Sequence, residues 1–355
     1  MNASEITIDK LQISFLQLKE KIKALGYMSD VREGLSLLEY SSHIVLHLLF
    51  LALAVYFHET FVLALLFFYL SMLSSVGITT GTHTASHYAL VKSRKINKFI
   101  VYLGYGFFYG QSYEYWIHKH IKVHHNNPNI VGVDEDINLM PWFAMNKEEI
   151  KNASKIKRAY FKIQVLLFPI ALTLNIFNVQ KDSLVHLAKI IKSKGLTNRI
   201  KLDLAVLLSH YLCWIVIPSY YFGFANVMLF YYLRMAFTGY GMFAAFAPAH
   251  FPEEAMFLTE DNKNMDFLRR QVYTTTNFTT GPIGRYMLGG VEFQLEHHLF
   301  PNCNHFHYPK INILLKQFCK DNDLPFNEIG WFEGIWKSVR IFYRPQEIYK
   351  TVPSN

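Results

Sequence analysis

The chain has 355 residues, of which 51% are hydrophobic, 16% are aromatic and only 17% are charged. This charged fraction lies below the roughly 25% of soluble domains, and the mean hydropathy is positive, at +0.12. A disordered chain is excluded, because it would need few apolar residues and many charges. The three cysteines are too few for a disulfide framework. The apolar residues cluster in blocks, which predicts an integral membrane protein.

The N-terminal segment, residues 1–40, is predicted to form an amphipathic helix at the cytoplasmic surface. Its apolar residues recur at helical spacing, and it lacks the apolar core of a signal peptide. The residues of this stripe are Leu11, Phe15, Leu18, Ile22 and Leu25.

Two apolar blocks predict two membrane hairpins, at residues 41–78 and 202–249. The first block divides at residues 58–60, and the second divides between Pro218 and Gly223. Each half of the first block is close to the shortest length that crosses a bilayer as a helix. The four predicted spans are residues 41–57, 61–78, 204–217 and 226–247.

Charge distribution orients these spans. Residues 181–201 are rich in Lys, whereas the hairpin tips at 58–60 and 218–225 carry no basic residue. Because short basic loops stay cytoplasmic, we predict four spans with both termini and all large loops inside. The apolar stretches 99–110 and 161–177 are then interfacial or half-buried helices. The second of them is also long enough to cross, and a crossing there would invert everything downstream.

The net charge of +8 follows from the same arrangement, because the basic residues face anionic headgroups on the cytoplasmic side. Nucleic-acid binding is not expected, since no recognisable module combines basic and aromatic residues. Arg234 is the ionised residue deepest in the second block. It is either a functional intramembrane charge or a side chain that snorkels to the surface.

The positions of the histidines carry the chemical information. Three motifs have the spacings HxxxH, HxxxHH and QxxHH. On a helix, residues i and i+4 are neighbours about 5–6 Å apart, so their imidazoles can share a metal, whereas adjacent histidines diverge and suit two metals. Imidazole binds zinc, iron and copper alike. With one histidine at the end of the fourth span, the candidate ligands are His83, His87, His120, His124, His125, His250, His297 and His298.

These motifs, in this order around two hydrophobic hairpins, resemble the membrane fatty acyl desaturases. The third motif, with Gln294 in place of a first histidine, is similar to the front-end desaturases and their bacterial acyl-lipid relatives. The stretches 271–278 and 305–309 also fit, and the resemblance covers about residues 40–340. We therefore predict an all-α integral membrane protein, with four transmembrane helices in two hairpins capped by a cytoplasmic helical domain.

The predicted protein is one desaturase domain over residues 1–355. Its parts are a cytoplasmic surface helix (1–40), the first hairpin (41–78), a cytoplasmic segment with the first two histidine boxes (79–201), the second hairpin (202–249) and a cytoplasmic segment with the third box (250–355).

The resemblance implies two non-haem iron ions, O2 as oxidant and the eight histidines as ligands. It places Gln294 where related enzymes have a ninth histidine, as a weak oxygen ligand or as a donor to metal-bound water. His43 and His47 match no ligand and are expected at the surface or in support of ligands. Further residues expected to support the ligands are His118, Asp134, Asp136, Asn277, His305 and His307. Residues expected to line an acyl tunnel are Tyr232, Met235, Tyr240 and Phe243.

The sequence departs from the family pattern at two positions. Three residues separate His120 from His124, as in bacterial forms, whereas many front-end enzymes have two. Position 246 is Phe, where some desaturases have Asn. Residues 1–40 are too short for a fused cytochrome b5 domain, so we expect a separate electron donor of ferredoxin or cytochrome b5 type. These features favour the bacterial cytoplasmic membrane over the endoplasmic reticulum.

The expected activity is insertion of a double bond toward the carboxyl end of an acyl chain carried by a lipid or by CoA. A hydroxylase on the same scaffold is the alternative, because histidine boxes do not separate the two reactions. A metal transporter is a more remote alternative, since transport needs polar ligands within the spans.

Overall fold

The computed structural model describes residues 3–352, without the side chains of residues 3–9, 263 and 264. The helices are α1 (Ala3–Ala24), α2 (Glu33–Tyr56), α3 (Phe61–Ser86), α4 (Arg94–Val101), α5 (Tyr113–Trp116), α6 (Lys147–Lys151), α7 (Lys155–Phe161), α8 (Gln164–Leu172), α9 (Asn175–Lys194), α10 (Asn198–Tyr211), α11 (Ile217–Phe222), α12 (Phe224–His250), α13 (Phe267–Thr274), α14 (Pro282–Leu288), α15 (Gln294–Leu299), α16 (Tyr308–Asp321) and α17 (Trp331–Arg340). The prediction of a helical fold is confirmed.

Several shorter elements complete the described chain. π-Helical segments are π1 (Tyr102–Phe108), π2 (Ile117–His124) and π3 (Leu212–Val216), and 3-10 turns lie at Glu260–Asn264 and His305–His307. The strands are β1 (Phe257–Leu258), β2 (Asn277–Thr279), β3 (Glu328–Gly330) and β4 (Ile348–Tyr349). Strand β1 pairs in parallel with β4, and β2 pairs in parallel with β3.

The first predicted hairpin is formed by α2 and α3. At the ends remote from the hairpin turn, both helices run about two turns beyond the predicted spans. The added part of α3 is polar and buried, and it includes Thr79, Thr82 and His83. Hydropathy does not reveal this extension, because these residues are buried by protein.

The second hairpin differs from the prediction at Pro218. The segments α10, π3 and α11 form one continuous helix of 25 residues, and the chain reverses only at Gly223, where φ is 79°. Pro218 lies in the first turn of α11, after a π-helical turn, where a missing N–H costs little. The predicted break at Pro218 is therefore wrong.

Three helices in the described part of the chain are long and apolar enough to cross a bilayer. They are α2, α3 and the continuous helix at Asn198–Phe222. The fourth predicted span, α12, has 27 residues and sufficient length, but Arg234 and its polar residues make it less apolar.

The two apolar stretches of uncertain position have different structures. Residues 161–177 divide between α7, α8 and α9, and the 9 residues of α8 extend about 14 Å. Because a bilayer core is about 30 Å thick, this stretch does not cross as a single helix. Residues 99–110 are more buried than predicted, since Ile100, Val101 and Tyr105 belong to a core shared with α3 and α12.

Helix α1 packs against protein. Its predicted stripe is helical, and Leu11, Phe15, Leu18 and Ile22 are buried in one core with residues of α13, α15 and α16. Leu25 is 48% exposed and lies outside that core. Full burial of a side chain such as Phe15 stabilises a fold by about 1.5–3 kcal/mol. The stripe thus helps to hold α15, which carries the third histidine box.

Candidate metal centre

The eight predicted histidines come from four elements and meet in one buried region. His83 lies on α3 and His87 follows its end, while His250 is the last residue of α12. The second box lies on and just after π2, and the third lies on α15. Each of the eight side chains is at most 8% exposed. The structure therefore brings together residues that are up to 215 positions apart, from His83 to His298.

The second box departs from an ordinary helix. The backbone N–H of His125 donates to the carbonyl of His120 at 3.1 Å, the five-residue spacing of a π-helix. The imidazoles of His124 and His125 lie at 86° to each other, with centroids 5.7 Å apart. They reach different groups of histidines, as the adjacent pair predicts.

Five histidines form a first group, called cluster one. Its members are His83, His87, His120, His125 and His297, and one ligand atom of each lies within 4.8 Å of those of the others. Nε2 of His120 lies 2.8 Å from Nε2 of His83 and 3.2 Å from Nε2 of His125. Nε2 of His297 lies 3.1 Å from Nε2 of His125. Ring nitrogens that converge in this way can share one ion.

Three histidines form a second group, called cluster two, namely His124, His250 and His298. The side-chain nitrogen of Gln294 lies 2.9 Å from Nε2 of His250 and 3.0 Å from Nε2 of His298. Its buried oxygen Oε1 has no hydrogen-bond partner among the described residues. Because an amide can be turned to exchange its nitrogen and oxygen, Gln294 offers cluster two a fourth donor.

The two clusters adjoin. The ring of His125 in cluster one stacks on that of His298 in cluster two, with centroids 4.4 Å apart. Asp136 also contacts both, since its Oδ2 lies 3.8 Å from Nδ1 of His120 and 3.4 Å from Nδ1 of His124. The arrangement suits a pair of neighbouring metal ions.

Hydrogen bonds fix the direction of the cluster-two imidazoles. Nδ1 of His250 donates to the carbonyl of Thr274 at 3.2 Å, and Nδ1 of His298 donates to Oε1 of Gln271 at 2.7 Å. Nδ1 of His124 lies 3.0 Å from the carboxylate of Asp134. An acceptor at Nδ1 leaves the Nε2 lone pair free for a metal, as in most metal-bound histidines.

Burial sets the charge of these rings. Desolvation, together with neighbouring imidazoles, lowers the pKa of His125, His297 and His298 well below 6.5. It lowers the pKa of His120 to about 4. Burial opposes charge at His124 too, but the Asp134 and Asp136 carboxylates outweigh it and raise the pKa of His124.

The donor set fits transition metals. Neutral imidazoles bind iron, zinc and copper, whereas magnesium and calcium prefer oxygen ligands. Within residues 3–352, the buried Nε2 of His87, like Oε1 of Gln294, has no hydrogen-bond partner. A buried polar atom without a partner is often explained by an ion, so both atoms fit ligands of a metal pair.

Of the residues expected to support the ligands, two contact imidazoles of the clusters and the others contact different groups. Asp134 and Asp136 contact ring nitrogens of His124 and of both His120 and His124, respectively, and their role in supporting the ligands stays a prediction. Asn277 contacts the Glu296 carboxylate and the Leu295 N–H, and so holds α15 and not an imidazole. The remaining three contact other groups: His118 stacks on His186, His305 contacts the Glu39 carboxylate, and His307 contacts the Asp30 carboxylate.

Sequence reasoning missed Gln271 as a positioning residue. Its oxygen accepts from His298, while its Nε2 donates to the carbonyl of His125 at 3.0 Å, so one side chain bridges the second and third boxes. Gln271 lies in a stretch that fits the family, but nothing in the spacing indicates which way its side chain points. The same is true of the Thr274 carbonyl.

The predicted tunnel residues connect helices. The hydroxyls of Tyr232 and Tyr240 donate to Thr173 and to the carbonyl of Pro169, which ties α12 to α8. Phe243 packs on Phe168 with ring centroids 5.1 Å apart, and Met235 is fully buried. A role in an acyl tunnel stays a prediction for all four.

His43 and His47 lie away from both clusters and are buried on α2. His43 packs on Tyr286, and His47 is hydrogen-bonded to Ser71. Neither side chain is at the surface, at 2% and 0% exposed, so the expected surface position is wrong. The alternative, that they support the ligands, stays a prediction.

The sequence profile of the fatty acid desaturase family matches residues 40–330. A delta-5 fatty acid desaturase of Caenorhabditis elegans is 23% identical over 73% of this chain and 59% of its own length. A fatty acid desaturase 2-like protein of Mus musculus is 26% identical over 88% and 62%. The sn-1 linoleoyl-lipid 6-desaturase of Synechocystis is 29% identical over 71% of each. The chain spans about three-fifths of the first two relatives, and it belongs to the fatty acid desaturase family.

Proposed function

We propose that this protein is a membrane-bound fatty acyl desaturase with two non-haem iron ions. The observation that carries the proposal is the meeting of eight buried histidines in two adjoining clusters. The overall reaction converts –CH2–CH2– to –CH=CH–, while O2, two external electrons and two protons give two waters. The electrons from the substrate and from the donor together reduce O2 completely.

The two clusters divide the metal ligands between them. The five histidines of cluster one would hold one iron, and the three of cluster two, with Gln294, would hold the other. Bound iron supplies an oxidant able to remove hydrogen from unactivated methylene groups, which no side-chain acid or base can do. The protein directs the imidazoles through Asp134, Gln271 and Thr274, and it keeps them away from water.

The proposed topology has four spans, with α12 as the fourth, and both termini in the cytoplasm. Support comes from the basic segment 181–201 and from the position of His83, His87 and His250 at the ends of α3 and α12 remote from the hairpin turns. The protein is then one domain in which the box-carrying segments cap two hairpins. We place it in a bacterial cytoplasmic membrane.

The proposed substrate is an acyl chain on a lipid or on CoA, desaturated toward its carboxyl end. Support comes from relatives named for such reactions, a delta-5 desaturase and a linoleoyl-lipid 6-desaturase among them. Electrons come from a separate donor of ferredoxin or cytochrome b5 type. Asp136, which contacts histidines of both clusters, is 33% exposed.

The test is expression in a host of defined lipid composition, followed by mass spectrometry of its fatty acids. A product lighter by two mass units than its precursor is expected for desaturation. A product heavier by sixteen would establish hydroxylation instead. The His298→Ala variant is the matched control, and a product that persists in it would contradict the proposed centre. Transport of iron into vesicles containing the purified protein would favour the transporter.

A further inference from the structure

Arg234 on α12 is a fully buried side chain, at 0% exposed. None of its three guanidinium nitrogens has a hydrogen-bond partner in the described part of the chain. It lies 16 residues before His250 on the same helix, which corresponds to about 24 Å. Arg234 is therefore remote from the metal centre and plays no part in holding metal.

The side chains around Arg234 have other partners for their polar atoms. Its guanidinium carbon lies 3.8 Å from the ring centre of Trp214 and 5.4 Å from that of Tyr109. The indole N–H of Trp214 donates to the carbonyl of Phe107, and the hydroxyl of Tyr109 donates to the carbonyl of Ser75. The two rings offer their faces to the cation, and their polar groups do not contact it.

His47 is the second incompletely paired group beside this site. Its ring lies 6.4 Å from that of Trp214, and its Nδ1 lies 2.9 Å from the hydroxyl of Ser71 and 3.0 Å from the carbonyl of the same residue. Its Nε2 is buried and has no hydrogen-bond partner in the described part of the chain. In the tautomer whose Nδ1 accepts from the Ser71 hydroxyl, Nε2 carries the proton and can donate to an anion. Two buried nitrogen-bearing side chains with free polar atoms thus flank the same indole.

No carboxylate among the described residues forms an ion pair with Arg234. The buried carboxylate in the neighbouring helix α10, Asp203, is used by the Ser112 hydroxyl and the N–H groups of Tyr113 and Glu114. The site therefore has one positive charge and no charge that balances it.

The energetics require a partner. An unpaired charge in a protein interior is strongly destabilising, and the cation–π contacts of Arg234 with Trp214 and Tyr109 offset only part of that cost. Water would satisfy the N–H groups but would not balance the charge. Intramembrane charges are usually paired or mark an ion site.

We propose that Arg234 and His47 bind one small monovalent anion inside the helical bundle, between α2, π1, π3 and α12. The guanidinium supplies the charge and several donors, and the Trp214 face holds it in place. The ligand is a halide or a carboxylate, since both are monoanions that accept N–H bonds. This site is independent of the proposed enzymatic reaction, so either proposal can fail alone.

The experiment measures the thermal unfolding of the purified full-length protein at constant ionic strength, with gluconate replaced stepwise by bromide or by acetate. Above the dissociation constant, we expect Tm to rise by about 2 °C for each tenfold increase in the free concentration of the anion that binds. A response to bromide identifies a halide site, and a response to acetate identifies a carboxylate site. A Tm that follows neither anion would overturn the proposal.

Two variants separate this site from general effects of salt. Arg234→Gln should abolish the response, whereas Arg158→Gln, which removes the same charge from an exposed position on α7, should keep it. An unchanged response in Arg234→Gln would overturn the assignment. If that variant does not fold, iodide quenching of tryptophan fluorescence in the wild type provides the decision. We expect the quenching by iodide to reach saturation and the saturable part to be absent in Trp214→Phe. Quenching that does not reach saturation would overturn the proposal.

Discussion

The side-chain nitrogen of Gln294 lies 2.9 Å from Nε2 of His250, at the edge of the smaller histidine cluster. Cluster one has five imidazoles and cluster two has three, so the two proposed metal positions would be unequal. A carbonyl oxygen is a weaker ligand for iron than imidazole. The cluster that contains Gln294 is therefore the one expected to lose its metal first.

Replacement of Gln294 should act on one iron only. We expect Gln294→Ala to weaken metal binding at cluster two by about 10–100-fold, the usual effect of losing a group beside a metal ligand. Dialysis against a graded chelator, with iron counted per chain, should then show a stable intermediate with one iron. Gln294→His should shift the loss of iron from cluster two, which is the first loss in the wild type, to higher chelator concentration. Equal retention of both irons in Gln294→Ala would contradict the assignment.

Single ligand substitutions should abolish turnover and lower bound iron. His297→Ala removes a member of cluster one, and His298→Ala removes a member of cluster two, so each variant should lose a different iron. The matched control is His58→Ala, because His58 is exposed in the turn between α2 and α3. Fatty acid profiles and iron content measure both effects. Normal turnover in His298→Ala would refute the metal centre.

The two acidic residues beside the second box should have different effects. Asp134 contacts only His124 among the box histidines, whereas Asp136 contacts both His120 and His124. We expect Asp134→Asn to weaken iron at cluster two, by about 10–100-fold, and Asp136→Asn to weaken both irons. Each change should also lower the pKa of His124, since the two carboxylates raise it. Competitive chelation, and NMR titration of the metal-free protein, check the two effects.

Glu296 should make stability depend on pH. Burial raises the pKa of Glu296 from 4.5 to about 7, although N–H groups of Asn277 and Asn312 donate to it. A raised pKa favours the protonated form in the folded state. The contribution of Glu296 to the free energy of unfolding is therefore fully present below about pH 4.5. It is lost as the pH rises through 7, which lowers the free energy of unfolding by about 3 kcal/mol.

The test for Glu296 uses an uncharged side chain of the same shape. Glu296→Gln should not lose stability in this way, because its side chain does not ionise. The Tm of the variant should therefore rise relative to that of the wild type between pH 5 and pH 8. Thermal unfolding of the metal-free proteins measures the difference. Parallel Tm profiles for the two proteins would show that Glu296 does not titrate in this range.

The sequence predicted the hairpins and the histidines because both depend on local patterns. Apolar blocks of sufficient length indicate membrane helices, and HxxxHH spacing indicates paired imidazoles. The division of the histidines into five and three depends on how distant elements pack. His297 joins cluster one and its neighbour His298 joins cluster two, and no spacing rule states which partner each one meets.

Other features were not predicted because hydropathy indicates burial in lipid but does not indicate burial by other parts of the protein. The polar end of α3 is buried although its sequence is rich in Thr, and the apolar stretch 161–177 is broken into short helices. Pro218 interrupts no helix, because a π-helical turn precedes it. Gln271 was overlooked because its role comes from contacts with residues far along the chain.

The wide turn of π2 has a consequence for how this motif can vary in length. A π-helical turn accommodates one residue more than an α-helical turn, and here it contains the three residues between His120 and His124. Deletion of one of them, for example Ile121, would let an α-helix present both rings in nearly the same directions. A motif with two intervening residues and one with three are then geometric equivalents, so a gap between such sequences need not signal different chemistry.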